Sequence, residues 1–204
     1  MYALIEDNSI SKIITNPKAM VIGDVRYPAK IFQLWSVSEL NAIGIYEVIT
    51  DSTNKKDEAY YINTNEQFDY ANNQVTRSWG TATPKRLEDE DAVDENGDPV
   101  LDDDGKQIIN YGLKTEKKRI VKQQASGLLE KTDWHNHKAL DDDTYTIPNN
   151  IKTYRAEVRA KSNEMESQID ACTNVDELKA LYEYTRQEDG TTTRPLAEFP
   201  KEVI

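Results

Sequence analysis

The chain is short of cysteine, of phenylalanine and of positive charge. A single cysteine, Cys172, excludes an intrachain disulfide framework and points to synthesis in a reducing place. Lys and Arg number 25 against 37 Asp and Glu, for a net charge of −12. That balance argues against non-specific binding to nucleic acid or to anionic membrane, both of which need basic surface. No apolar run of about 18 residues occurs, so no membrane-spanning helix is expected. The opening residues Met1 to Asp7 carry no basic region, and no signal peptide is expected there. Apolar residues make up 37%, which argues against one generous core. Small modules, or a subunit completed by its neighbours, fit better. Tyr outnumbers Phe by 11 to 3, and Tyr tolerates half-buried sites because its hydroxyl stays wet.

Chemical motifs are scarce as well. The chain has no Gly-x-Gly-x-x-Gly, no phosphate loop and no Gly-x-Ser-x-Gly. Cys172 lies on an apolar stripe with no histidine near it in sequence, which reads as a core thiol. His135 and His137 are the only histidines. In an extended link they would point the same way, with Asp133 or Asp141 completing a metal site. The spacing is weak for zinc, so a polar surface link is the simpler reading. Neither an enzyme, a metal nor a cofactor is expected.

What is present divides into four stretches: a β-rich module over 1–87, an acidic β-meander over 88–112, a helical region over 113–186 and an extended tail over 187–204. The fold class expected is α+β. In the first stretch, Tyr2 to Ile5 and Ile10 to Ile14 read as a hairpin. Met20-Val21-Ile22 and Lys30-Ile31-Phe32 read as short strands. Ser36 with Glu39 is a capping-box spacing for a short helix ending at Gly44. Ile45 to Ile49, Ala59 to Ile62 and Gln74 to Trp79 read as strands, with a turn at Asn72-Asn73. Trp35 and Trp79 are the expected aromatic anchors.

Residues 88–105 carry ten carboxylates and no base. An eight-residue repeat, Val93 to Val100 and Leu101 to Ile108, has Asn96-Gly97 and Asp104-Gly105 at its turns. Such pairs favour hairpins, which predicts three strands near 91–94, 98–102 and 106–111. Calcium is the alternative, through Asp94, Asn96 and Asp98, but Gly97 is misplaced for a calcium loop. Lys114, Lys117, Lys118, Arg119 and Lys122 then line an amphipathic helix over 113–131, whose basic face could sit on the acidic hairpin, within the chain or on a neighbouring copy. After Pro148, Ile151, Tyr154, Val158, Met165 and Cys172 fall at spacings of 3, 4, 7 and 7, with Lys161 in the missing seam position. That stripe, with Phe199 and Val203 of the tail, predicts a homo-oligomer interface through Ile151, Val158, Met165, Phe199 and Val203. Asn174 with Glu177 predicts a further short helix.

Leu128-Leu129-Glu130-Lys131-Thr132-Asp133-Trp134, followed by Ile151-Lys152-Thr153-Tyr154-Arg155-Ala156-Glu157-Val158-Arg159, resembles a module of tailed bacteriophages. Its usual form is L-L-x-x-T-D-W, a short link, then W-x-x-Y-R-x-x-L-R. Ile151 stands where the family often has a second Trp, and Val158 replaces the usual Leu. Upstream, Leu40, Ile43-Gly44-Ile45 and Val48 are similar to the segment that precedes the module, and Val75 with Trp79 to the strand after it. The resemblance spans residues 30–170 and belongs to tail-fibre and tail-fibre-assembly proteins. It implies a part in phage tail assembly, and the family label by itself favours a chaperone. The heptad-like stripe, the low apolar content and the apolar tail favour a structural component of the virion, in the tail, fibre attachment or neck, whose partners are other phage structural proteins and copies of itself. An assembly chaperone that does not stay in the virion is the alternative, and a host-surface glycan-binding module the next. In physical terms the motif reads as a helical clasp of Asp133, Trp134, Tyr154, Arg155 and Arg159. Trp134 is expected to plug the gap between two helices, and Asp133 to pair with Arg155 or Arg159.

Overall fold

A computed structural model describes residues 1–203. The fold is α+β and divides into two compact units, Met1–Pro84 and Lys85–Ile204. The acidic segment therefore groups with the helices.

The first unit comprises β1 (Tyr2–Glu6), β2 (Ser9–Ile14), β3 (Met20–Ile22), β4 (Val25–Tyr27), α1 (Ile31–Leu34), α2 (Val37–Ala42), β5 (Ile45–Thr50), β6 (Tyr61–Ile62), β7 (Gln67–Ala71), β8 (Gln74–Ser78) and β9 (Thr83–Pro84). Its main sheet runs β2-β1-β5-β8-β7 and is antiparallel except for the parallel pair β5–β8. Local chemistry builds both of its hairpins. Asp7 and Asn8 turn β1 into β2, and Asn72 and Asn73 turn β7 into β8, all four with positive φ. Ser36 and Glu39 form the reciprocal capping box that starts α2. Leu4, Ile14, Ile31, Leu40 and Ile45 make the core, with Trp35 packed at its side. Trp79 is buried and carries Arg77 over its ring at 4.6 Å.

Two expected strands differ. Lys30 to Phe32 opens α1 instead, because Pro28 starts a turn whose carbonyl takes the Ile31 N–H at 3.2 Å. Of Ala59 to Ile62 only Tyr61–Ile62 is extended. The N–H groups of Tyr60 and Tyr61 turn back to the Asp57 carbonyl, at 3.0 and 2.9 Å.

The second unit opens on a three-armed device. Val100 N–H donates to Ala92 O at 2.9 Å, Ile108 N–H to Val100 O at 2.9 Å, and Ala92 N–H to Ile108 O at 2.8 Å. The three bonds close a ring. From it one arm turns at Gly97, a second at Gly105, and a third is β10 (Glu90–Asp91) paired with β11 (Ile109–Asn110). The expected meander is corrected accordingly, since a meander leaves its first and third strands unpaired. The eight-residue repeat sets the ring because each turn returns the chain to the same register. Asp94 Oδ1 accepts the N–H groups of Asn96 and Asp98 at 2.8 and 2.9 Å, and Asp102 does the same for Asp104 and Lys106. These bonds hold the Asp94 carboxyl below its ordinary pKa. The oxygen read as a calcium ligand is thus a turn acceptor.

The helices are α3 (Leu113–Glu130), α4 (Asp133–Asp141), α5 (Asn149–Ala171) and α6 (Val175–Ala180), followed by a small hairpin of β12 (Thr185–Arg186) and β13 (Thr192–Thr193). Asn174 accepts the Glu177 N–H and caps α6. The basic face of α3 meets α5 more than the acidic arms. Lys118 reaches Asp170 at 2.7 Å and Lys122 reaches Glu166 at 3.1 Å. From the acidic segment, Glu88 pairs with the buried Lys114, whose Nζ also donates to Asp170 O at 3.0 Å.

Two glycines separate backbone need from convenience. Gly44 has φ +80, and a Cβ there would lie 2.7 Å from the Ile5 carbonyl oxygen. Gly127 is exposed in α3 with nothing within 4 Å. In denaturant unfolding, Gly44→Ala is expected to lose about 1–2 kcal/mol or more, and Gly127→Ala to gain about 0.5–1 kcal/mol. The Asp94 turn makes an acid prediction. A depressed folded-state pKa means its stabilisation is complete above the unfolded value and is lost as pH falls through the folded one. Amide resonances of residues 94–98 should therefore hold steady at pH 6 and move only below about pH 4.

Candidate structural site: a three-helix clasp

The site begins at the C-terminus of α3, where the last carbonyls of a helix lack intrahelical partners. The Leu129 carbonyl finds three. It accepts the Thr132 N–H at 3.0 Å, the Thr132 hydroxyl at 2.9 Å and Arg155 Nη1 at 2.8 Å. Arg155 Nη1 also donates to Thr132 Oγ1 at 2.6 Å, and Nη2 pairs with Asp133 Oδ1 at 2.7 Å. One guanidinium from α5 thus ties the end of α3 to the start of α4. The Arg155 side chain is 9% exposed, whereas Asp133 is 44% exposed, so the carboxylate keeps much of its hydration. Asp133 also sits in the first turn of α4, where the helix dipole favours negative charge.

Arg159 lies one turn further along α5, is exposed, and donates to the Arg155 carbonyl at 3.3 Å. The ion pair goes to Arg155. Tyr154 is buried with Ala125 and Val158, and Leu128, Leu129, Phe199 and Val203 pack around them. Burial pushes its phenol pKa up, and the charge of Glu202 adds to that. Its hydroxyl has no hydrogen-bond partner among the described residues.

Trp134 does not plug the gap between the helices. It is 54% exposed, and the residue beside it, His135, takes the inward place at 8%. The reason is conformational. The stretch expected as a polar link is the first turn of α4, and on a helix adjacent residues point about 100° apart. The two rings stack at 3.7 Å between centroids, and His135 Nδ1 is hydrogen-bonded to the Tyr145 hydroxyl. The same helix separates His135 from His137 by about 200°, so they do not present a shared ligand pair.

The residues expected at an oligomer interface lie within the chain's own core. Ile151, Val158 and Met165 are 6%, 0% and 1% exposed. Ser162 and Ile169 complete their stripe, and Lys161 instead pairs with Glu164 at 2.7 Å on the surface. Phe199 and Val203 are half-buried against the Tyr154 cluster of the same chain. Periodicity reveals that a stripe is covered, and here α3 and the tail cover it. Cys172 is buried, its Sγ 3.4 Å from Gln168 O, and burial raises its thiol pKa.

The sequence reading missed Gln168. Its amide grips the tail backbone on both sides of Leu196, with Nε2 donating to Pro195 O at 3.1 Å and Oε1 accepting from Ala197 N at 2.8 Å. Gln168 is half-buried in the structure, and a Gln within a helical run carries no sequence signal for such a task. Compared with protein families, with characterised proteins and with solved structures, the chain matches none.

Two substitutions test this arrangement by thermal or denaturant unfolding. Trp134→Ala is expected to cost about 1 kcal/mol, the worth of one aromatic contact, where a fully buried Trp would cost about 3–5 kcal/mol. Tyr154→Phe removes an unpartnered buried hydroxyl and should leave stability unchanged or raise it by about 1 kcal/mol.

Proposed function

We propose that this chain is a structural part of a tailed bacteriophage particle, a tail, fibre-attachment or neck subunit that acts through protein–protein contacts and not through catalysis. One observation carries the reading. Thr132, Asp133 and Arg155, residues on which the resemblance to tail-fibre and tail-fibre-assembly proteins rests, meet in a single hydrogen-bonded unit although Thr132 and Arg155 are 23 positions apart. A residue pattern that closes on itself in this way is a folding module, and its acids and bases are engaged in holding helices together.

The outer face of α4 adds support. Its two large apolar side chains, Trp134 and Leu140, are 54% and 80% exposed, while His135, Asn136 and Ala139 turn inward. A helix with its bulk outward offers surface to a partner protein.

A specific observation also favours the second reading, an assembly chaperone that leaves the finished particle. The apolar stripe and the tail are both covered within one chain, so the core is closed without neighbours. Mass spectrometry separates the two. Peptides of this chain in purified particles, at a stoichiometry matching a tail or neck ring, are the expected result. Peptides found in infected cells but absent from particles would give the chaperone reading. Absence from both during particle production would reject the phage assignment.

A further inference from the structure

The tail holds its place by a short linear set of contacts. Leu196 is 2% exposed, and its N–H donates to Leu181 O at 3.0 Å. Gln168 holds the backbone on either side of it. Phe199 and Val203 lie on the Tyr154 cluster, and Glu202 pairs with Lys131 at 2.5 Å. Residues 195–203 thus form a strap seated on α3, α5 and the end of α6. Each contact belongs either to the strap or to its seat.

The segment that leads into the strap is built otherwise. Every residue from 183 to 193 is exposed. β12 and β13 pair over only two residues each, Thr185 with Thr193 and Arg186 with Thr192, and the turn relies on Gln187 N–H to Thr191 O at 2.8 Å and on Gly190 at φ +83. A two-stranded ribbon of this size is marginal alone. Opening it frees residues 185–193, with a reach of roughly 30 Å at about 3.3 Å per residue.

We propose that the strap seat is an exchange site between copies of this chain: when copies are crowded, each seat takes Leu196, Phe199 and Val203 from a neighbour. The closed and exchanged forms make the same strap contacts and differ in the path of the tether, so local concentration decides between them. The partner is a second copy because the seat matches this strap at every point. It needs Leu, Phe and Val at offsets of three and four, a carboxylate opposite Lys131, and a free backbone N–H and carbonyl flanking the Leu. Exchange deepens the particle-subunit reading, since arrayed subunits are crowded, but it is tested in solution and stands or falls without reference to a virion.

The experiment uses the full chain. Cys172 and Pro195 line one recess together with Gln168 and Leu181. In Pro195→Cys, mild oxidation should link the strap to whichever seat holds it. Dilute protein is expected to give an intrachain link at monomer mass, and a linked dimer should grow as concentration rises. A second arm mixes a Pro195→Cys chain that also carries Cys172→Ser with the parent chain, so that a strap-to-seat link can form only between chains. That mixture should give a linked dimer of the two chains, in growing amount as concentration rises. Links that stay intrachain at every concentration would overturn the proposal, as would a concentrated mixture that forms no link between its two chains. A Pro195→Cys chain that links neither on oxidation nor with a short bis-maleimide would refute the seating of the strap, and exchange with it.

Discussion

The helical unit depends on what one guanidinium can satisfy. Arg presents five donors in a rigid plane, and Arg155 uses that plane on a helix-end carbonyl, a hydroxyl and a carboxylate. The three acceptors come from the end of α3 and the start of α4, and the donor from α5. α4 has little else to hold it, because its inward face offers His135, Asn136 and Ala139 and no large aliphatic side chain. Its attachment is polar, through Arg155 and through His135 with Tyr145. The α3–α5 pair is held differently, by Val121, Ala125, Tyr154, Val158 and Met165 in a dry seam. The unit therefore joins an apolar pair of long helices to a short helix on a hydrogen-bonded hinge.

Much of the fold was legible in the sequence wherever neighbouring residues decide the outcome. Asp7-Asn8 and Asn72-Asn73 specify hairpins because both residues accept positive φ. Ser36 with Glu39, and Asn174 with Glu177, announce helix starts through side chains that bond the local backbone. The failures have an equally physical cause. Thr132 is a residue type that caps helices, but His135 stands where a capping box has Glu or Gln. In the fold the Thr132 hydroxyl goes to Leu129 O and Arg155, which leaves α4 without a side-chain cap. An extended link would place Trp134 inward, whereas the first turn of a helix places His135 there. The ring of Ala92, Val100 and Ile108 was half visible as a repeat, but the bond from residue 92 to 108 closes between ends that no local rule connects. The stripe on α5 was real, yet periodicity does not say whether α3 of the same chain or a neighbour will cover it.

The same accounting changes the functional picture. Two of the carboxylates weighed as ion ligands, Asp94 and Asp133, have partners within the chain. Asp94 and Asp102 hold turns, Asp133 holds Arg155, and Asp170 and Glu166 neutralise the basic face of α3. Of the expected interface residues, Ile151, Val158 and Met165 are core, and Phe199 and Val203 lie half-buried over the Tyr154 cluster. What remains outward in the clasp is Trp134 and Leu140, and what remains exchangeable is the strap with its exposed tether. A chain that closes its own core and keeps a detachable end suits assembly in steps, in which folding comes first and joining follows.

The central claim is that Arg155 carries α4, and hydrogen exchange on Arg155→Met tests it most directly. Leaving the Thr132 and Leu129 acceptors without their donor should free the amides of Asp133–Asp141, so that they exchange much faster than in the parent. The amides around Val121 and Val158, held by the apolar seam, should keep their protection. Unchanged exchange in α4, or an equal loss across all three helices, would contradict the account.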